Sequence, residues 1–314
     1  MKVYQRLSSK QAVLSQWFQS LPMTAKGIFL ALFSTALFTL VAALVRQLSD
    51  SYDAFQILFF RQLVFVLLLV PAMRNNMKVL LKPNKVRLHI LRILGAFAAL
   101  YLGFVTVSNI AFADATALGF LQVIFVALIA RLALKEEVTM RRCLTITLGF
   151  TGVMLVVQPS FFGNEFVYVV TGVSAAFGAA IAVICVRAVA QTEPKITLLA
   201  YQAVCVGLIA LIPAIHQWQT PTIEDLLWLL SIGVISSIAQ YVGISAYKWA
   251  EANIIANVEY VKIIYSVLIG WMLFSELPNM WAFVGVLTIL ASAIIPMVWS
   301  YFESKKESYV DAEY

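Results

Sequence analysis

Charged residues are scarce in this chain of 314 residues: Asp, Glu, Lys and Arg make up 12% of it, about half of the ~25% typical of soluble domains. Hydrophobic residues make up 62%, and the mean hydropathy is +0.89. This composition excludes an ordinary water-soluble fold and indicates a membrane protein. About ten spans of ~20 residues would use most of the chain, which leaves no room for a soluble catalytic domain.

Sequence motifs of enzymes and metal sites are also missing. The three cysteines, Cys143, Cys185 and Cys205, lie in apolar runs without the CxxC spacing of zinc or redox sites. The chain has no HExxH, no GxSxG and no phosphate-binding GxxxxGK[ST] motif. The sequence therefore predicts neither an enzyme nor a nucleotide-driven pump, and it predicts no metal or other cofactor.

Ten apolar runs separated by proline, charge or polar clusters predict an all-α membrane protein with ten transmembrane helices. The runs are residues 26–45, 54–73, 88–107, 114–134, 142–158, 167–186, 196–213, 226–246, 254–274 and 280–300. Residues 1–24 are predicted to form a cytoplasmic segment, either an interfacial helix or an unstructured tail, and residues 301–314 a cytoplasmic tail.

Positive charges predict the orientation of these spans. If the N-terminus is cytoplasmic, nearly all of the 22 Lys and Arg residues fall on the inner side, and Arg46 is the one in an outer loop. Short loops rich in Lys and Arg remain in the cytoplasm, so both termini are predicted to be cytoplasmic. The net charge of +6 then reflects topology and contact with anionic lipid rather than nucleic acid. We expect no cleaved leader, because the first span is too long for a signal-peptide core.

The chain shows signs of an internal repeat. An offset of 140 residues aligns residues 115–155 with 255–295 without a gap and pairs Ile124 with Ile264 and Leu128 with Leu268. This offset places span four on span nine. Because the repeated unit has an odd number of spans, its two copies would have opposite orientations in the membrane, as in secondary transporters. We therefore predict a first five-helix repeat at residues 25–159 and a second, inverted one at 160–300.

Ionisable residues inside spans are the strongest candidates for a site, because a charge at the centre of a helix in the membrane costs ~2.5–3.5 kcal/mol. Lys262 lies about 12 Å into span nine, and Glu259 lies one turn before it on the same helix face. Three alternatives stay open: a structural ion pair, a lysine that binds an anionic substrate group, or a glutamate that carries a coupling proton. Arg92, near the inner boundary, is expected to snorkel to the membrane surface.

Further polar and aromatic residues inside the spans complete the predicted site. Gln122 is the counterpart of Lys262 at the 140-residue offset, so the two residues are expected to approach the centre from opposite halves. Arg61 is assigned either to an outer vestibule or to packing against carbonyl groups. The remaining candidates for the lining of a pocket for an amphipathic metabolite are Tyr101, Gln240, Tyr241, Tyr260, Phe38 and Phe120.

Four short motifs occur in order along the chain: FQILFFR at residues 55–61, ADATAL at 113–118, LGFTGV at 148–153 and FSELP at 274–278. With this order and spacing, the chain resembles the EamA-type family of the drug/metabolite transporter superfamily. The resemblance covers about residues 25–300. It implies two inverted five-helix repeats, a central cavity lined mainly by spans one, three, four, six, eight and nine, and alternating access. It also implies that Glu136 and Glu276 hold turns at span ends. The family often has Ser-Pro midway along span four, where this chain has Gln122-Val123, so the usual bend there is in doubt.

The predicted function is a secondary active transporter in a bacterial cytoplasmic membrane. It would export a small amphipathic metabolite, such as an amino acid or derivative, with proton coupling and exchange both left open. The alternatives are an importer of a nucleoside-like metabolite such as S-adenosylmethionine and a subunit that flips lipid conjugates. The predicted partners are the small-molecule substrate, protons if they are coupled, and membrane lipid, with monomer and homodimer both open.

Overall fold

The computed structural model describes residues 22–80, 84–134, 140–158, 165–189, 193–246, 249, 258–292 and 294–295. Almost all of the predicted segment 1–24, the tail 301–314 and Glu136 lie outside these residues. All regular elements in the described ranges are helices, so the prediction of an all-α chain is confirmed there.

The described helices overlap the predicted spans, although α9 begins only at Lys262. They are α1 (Met23–Leu48), α2 (Ala54–Asn75), α3 (Val86–Asn109), α4 in two parts (Phe112–Gly119 and Leu121–Leu134), α5 (Met140–Val157), α6 (Glu165–Val189), α7 (Lys195–His216), α8 (Ile223–Ala246), α9 (Lys262–Phe274) and α10 (Met280–Ser292). A short helix, Met77–Leu80, follows α2, and a 3₁₀ turn, Glu259–Val261, precedes α9. Within the described ranges, seven helices (α1 to α4 and α6 to α8) are long and apolar enough to cross a membrane, while α5, α9 and α10 contain shorter apolar segments.

Local chemistry explains where several helices begin and end. Asp53 caps α2, because its side chain accepts a hydrogen bond from the backbone N–H of Phe55 at 2.8 Å. Pro22 and Pro194 immediately precede α1 and α7, where a fixed φ is compatible with the start of a helix. Ser275 ends α9 in the left-handed conformation, with φ at 56°, and turns the chain so that Glu276 N–H donates to the Gly270 carbonyl.

Glycines allow the closest helix contacts. A Cβ added to Gly178 of α6 would lie 2.8 Å from the carbonyl oxygen of Gly95 in α3, so these two backbones touch. Gly152 of α5 and Gly285 of α10 make the same kind of contact, since a Cβ added to either would lie 2.7–2.9 Å from the other residue's carbonyl oxygen. Small residues at membrane helix interfaces permit this approach, so Gly95 and Gly178 serve the packing of α6 on α3.

Helix contacts across the two predicted halves form a symmetric pattern. α3 packs on α6, and its repeat counterpart α8 packs on α1, the counterpart of α6. α2 packs on its own counterpart α7, and α4 packs on α9. A buried core that includes Ile57, Leu58, Phe112, Leu229 and Ile232 joins helices of both halves. The site described next lies where α4 meets α9.

Candidate functional site

The backbone is irregular at two positions that face each other. α4 is interrupted at Phe120, whose N–H donates to the carbonyl of Ala117, while the N–H of Val123 donates to the carbonyl of Phe120. Both bonds reach only three residues back, so the turn is tighter than an α-helix. A second tight segment, the 3₁₀ turn Glu259–Val261, immediately precedes α9. The helix α4 is therefore interrupted at the residue after Gly119, although this chain lacks the Ser-Pro of the family.

A cavity of about 50 Å³ lies between these two irregular segments. Its lining consists of Thr116, Gly119, Phe120, Gln122, Val123, Tyr260 and Lys262. Four of the ten predicted site residues are therefore brought together: Phe120, Gln122, Tyr260 and Lys262. Pockets for whole metabolites usually measure about 300–1,000 Å³, so the cavity in this conformation has room for only a few molecules of the size of water.

Two aromatic rings form one wall of the cavity. Phe120 and Tyr260 are stacked, with their ring centroids 5.2 Å apart and their planes 10° from parallel. Both residues are buried. Phe120 comes from the first predicted repeat and Tyr260 from the second, so this stack is a contact between the halves. An apolar substrate group would meet flat ring surfaces here.

Two polar side chains face the same space. Gln122 and Lys262 are both partly buried and line the cavity. The Gln122 amide makes no hydrogen bond to another residue that the structure describes, so it has donors and an acceptor to offer a ligand. Ser266 and Gly270, which the sequence places on the Lys262 face of α9, are buried. The side chain of Glu259 lies outside the described residues, so its predicted pairing with Lys262 stays a prediction.

Among the predicted site residues whose side chains the structure describes, five are not part of this lining. Tyr101 stacks on Phe55, with centroids 3.9 Å apart. Phe38 and Gln240 are partly buried, and Tyr241 is 74% exposed. Arg61 is buried in α2, and its Nε and Nη1 atoms have no hydrogen-bond partner among the described residues. The suggestion that carbonyl groups satisfy the Arg61 guanidinium is not supported for these two atoms.

The prediction that Arg92 extends to the membrane surface is wrong. The side chain is buried. Its guanidinium donates from Nη1 to the Leu198 carbonyl and from Nη2 to Gln202 Oε1, the latter at 2.7 Å. Both acceptors belong to α7. Depth along one helix suggests an interfacial arginine, but a neighbouring helix supplies acceptors that let Arg92 stay inside the protein.

Two polar clusters lie outside the cavity, and the pairing of their residues could not be predicted from the sequence. At one, Arg46 Nη2 lies 2.5 Å from Glu276 Oε1, and Glu276 Oε2 accepts from Phe112 N at 2.7 Å. At the other, His89 Nε2 lies 3.5 Å from Glu193 Oε1, and both side chains are buried. These residues are far apart in the chain, so only the fold brings them together.

Comparisons with known proteins agree with this architecture. The model of the EamA-like transporter family matches residues 25–158 and 167–297. The chain is 28% identical over 277 residues to the pseudopaline exporter CntI of Pseudomonas aeruginosa, covering 87% of this chain and 96% of that protein. It is 24% identical over 251 residues to the S-adenosylmethionine uptake transporter of Rickettsia bellii, covering 79% and 85%. A solved crystal structure superposes with a TM-score of 0.66 at 14% identity, over 88% of this chain and 96% of that one.

Proposed function

The chain belongs to the EamA-like transporter family, and on that premise we propose that it is a secondary active transporter that moves a small amphipathic metabolite by alternating access. Transport of small metabolites across a membrane agrees with the names of its relatives. Its helices are those of a multi-pass integral membrane protein. The class of substrate, the direction of transport and the energy source are inferences that go beyond the family.

The topology we propose has ten spans, two inverted five-helix repeats and both termini in the cytoplasm. The symmetric contacts support it, since α3 on α6 and α8 on α1 are the two copies of one interface that such a repeat produces. The division of the family match into residues 25–158 and 167–297 supports the predicted repeat boundaries. The distribution of Lys and Arg supports the orientation.

The observation that carries the proposal is the shared cavity between α4 and α9. Each half contributes one polar residue, Gln122 or Lys262, and one ring, Phe120 or Tyr260. An ammonium group recognises a carboxylate or phosphate through charge-assisted hydrogen bonds, and the rings accept an apolar group. A metabolite with an anionic group next to an apolar or aromatic part, such as an amino acid derivative, fits this pairing.

The cavity's size indicates how transport would proceed. A space of about 50 Å³ is too small for a metabolite, so the helices around it must separate for a substrate to enter. Interruptions in α4 and before α9 supply positions at which these helices can bend. We propose export as the direction, with uptake as the alternative that the Rickettsia relative represents.

Transport by purified protein in liposomes tests this function. We would screen amino acids, nucleosides and cationic drugs with and without an imposed pH gradient, and compare Lys262→Ala with Lys78→Ala, a lysine exposed on the short helix after α2. Since a hydrogen bond to a charged group contributes about 1.5–3 kcal/mol, Lys262→Ala should weaken transport of an anionic substrate about 10- to 100-fold, whereas Lys78→Ala should leave it unchanged.

Glu259→Gln separates the roles left open for this residue. If Glu259 carries the coupling proton, the variant should lose transport driven by the pH gradient and keep exchange of substrate across the membrane. If it only pairs with Lys262, both activities should fall together. Normal transport by both Lys262→Ala and Glu259→Gln would refute the assignment of the central site.

A further inference from the structure

Gly119 differs from the other glycines at helix contacts. A Cβ added to Gly152, Gly178 or Gly233 would lie under 3.0 Å from a neighbouring atom, so these glycines are required for packing. A Cβ added to Gly119 would meet no atom within 4 Å in the part of the chain that the structure describes. Close approach of another helix therefore does not explain a glycine at this position.

Gly119 lies at the edge of the cavity. Gly119 is exposed, and it lines the cavity together with Gln122 and Lys262. It is also the last residue of the first part of α4, immediately before the interruption at Phe120. A side chain at this position would therefore have room, next to a cavity that a substrate group could enter.

We propose that Gly119 sets the upper size of the substrate group that enters the site between α4 and α9. This inference rests on the proposed transport function and adds a specificity-determining residue to it. Gln122 and Lys262 bind the polar end of the substrate, the rings of Phe120 and Tyr260 cover the apolar part, and the missing side chain of Gly119 leaves room for its bulk. A larger residue at position 119 removes that room without disturbing the helix contacts.

The transport test uses side chains of increasing size at position 119. Gly119→Ala and Gly119→Val would be reconstituted and assayed with radiolabelled alanine, leucine, phenylalanine and tryptophan. Discrimination by one methylene group in an apolar pocket is about 10- to 200-fold, so we expect KM for the bulkiest transported amino acid to rise about tenfold in Gly119→Ala and more in Gly119→Val. KM for the smallest transported one should change little.

Gly103→Ala is the matched control. The nearest atom to a Cβ at Gly103 of α3 is the Cβ of Ala175, 4.0 Å away, so this change is also tolerated sterically, and Gly103 is not part of the cavity lining. It should leave the whole substrate profile unchanged. An equal loss of transport for small and large amino acids in Gly119→Val, with normal thermal stability, would overturn the proposal, as would an unchanged profile.

A second measurement is independent of any substrate. Gly119→Cys would be introduced together with Cys143→Ala, Cys185→Ala and Cys205→Ala, and treated with anionic and cationic methanethiosulfonate reagents. We expect the new thiol to react, and to react faster with the anionic reagent because Lys262 lines the same space. A thiol that reacts only after denaturation would refute the open site. If the wild-type protein carries none of the amino acids but the introduced thiol reacts as expected, the proposed substrate class fails while the open position beside Lys262 stands.

Discussion

Glu276 connects three parts of the fold, so its removal has a predictable cost. Its Oε1 accepts from Arg46 at the end of α1, and its Oε2 accepts from the backbone N–H of Phe112 at the start of α4. Arg46 also donates to the carbonyl of Ile110 at 3.1 Å and lies over the ring of Phe274, 4.4 Å from its centroid. One carboxylate of the second predicted repeat thus holds two helices of the first.

The loss of stability expected on removing Glu276 follows from its two hydrogen bonds. Each hydrogen bond to a charged group contributes about 1.5–3 kcal/mol, and the side chains of Arg46 and Glu276 are 21% and 24% exposed, so solvent screens the pair only in part. We expect Glu276→Ala to lower the free energy of unfolding by about 2–4 kcal/mol. Glu276→Gln should cost about half as much, because its amide oxygen can still accept from Phe112.

A double-mutant cycle measures the ion pair itself. Thermal or denaturant unfolding in detergent would be followed for Arg46→Ala, Glu276→Gln and the double variant, with Glu224→Gln, an exposed acid at the start of α8, as control. Coupling between residues in direct contact is about 0.5–3 kcal/mol, and it should shrink at high salt. If the two single substitutions change the free energy of unfolding additively, the role assigned to this pair is contradicted.

Two further predictions test packing and pH dependence. Gly178→Ala should lower the thermal midpoint and cost about 1–3 kcal/mol, because its Cβ would lie 2.8 Å from the Gly95 carbonyl oxygen, whereas Gly103→Ala should not. Burial and the 2.8 Å hydrogen bond to Asp225 raise the pKa of the Tyr52 phenol above its ordinary value of 10.0. The stabilisation by the protonated Tyr52 phenol is therefore complete below about pH 10 and is lost as the pH rises through the raised pKa. Tyr52→Phe should lower the free energy of unfolding at neutral pH and make it fall less steeply at alkaline pH.

The helices can be predicted from the sequence because each is a long apolar run with a recognisable end. Residues 196–213 are expected to span the membrane, and α7 covers Lys195–His216. Gln122 and Lys262 can be predicted together because a repeat places counterpart residues of its two copies near the axis that relates them. The signal is the 140-residue offset rather than the polarity of either residue.

The faces of the helices cannot be predicted in the same way. In a membrane protein both the lipid-facing surface and the core are apolar, so hydrophobic periodicity does not tell which side of a helix points inward. Tyr241 is therefore as good a candidate as Tyr260 from the sequence, yet one is 74% exposed and the other 6%. The expectation for Arg92 is wrong for a related reason, since its acceptors come from a helix more than one hundred residues further along the chain.

The strength of the Arg46–Glu276–Phe112 contacts bears on alternating access. These residues lie at the helix ends predicted to face outward, so opening the cavity to that side requires α1 and α4 to move away from Glu276. Breaking these contacts costs about 2–4 kcal/mol. A substrate bound with a Kd between about 1 mM and 1 μM releases about 4–8 kcal/mol, but only the difference between its affinities for the open and closed states shifts the equilibrium. Because each ~1.4 kcal/mol is a tenfold ratio, a substrate must bind the outward-open state about 30- to 700-fold more tightly than the closed state to offset this cost. Glu276→Gln lowers the cost, so it should shift the protein toward the state that is open to the outside.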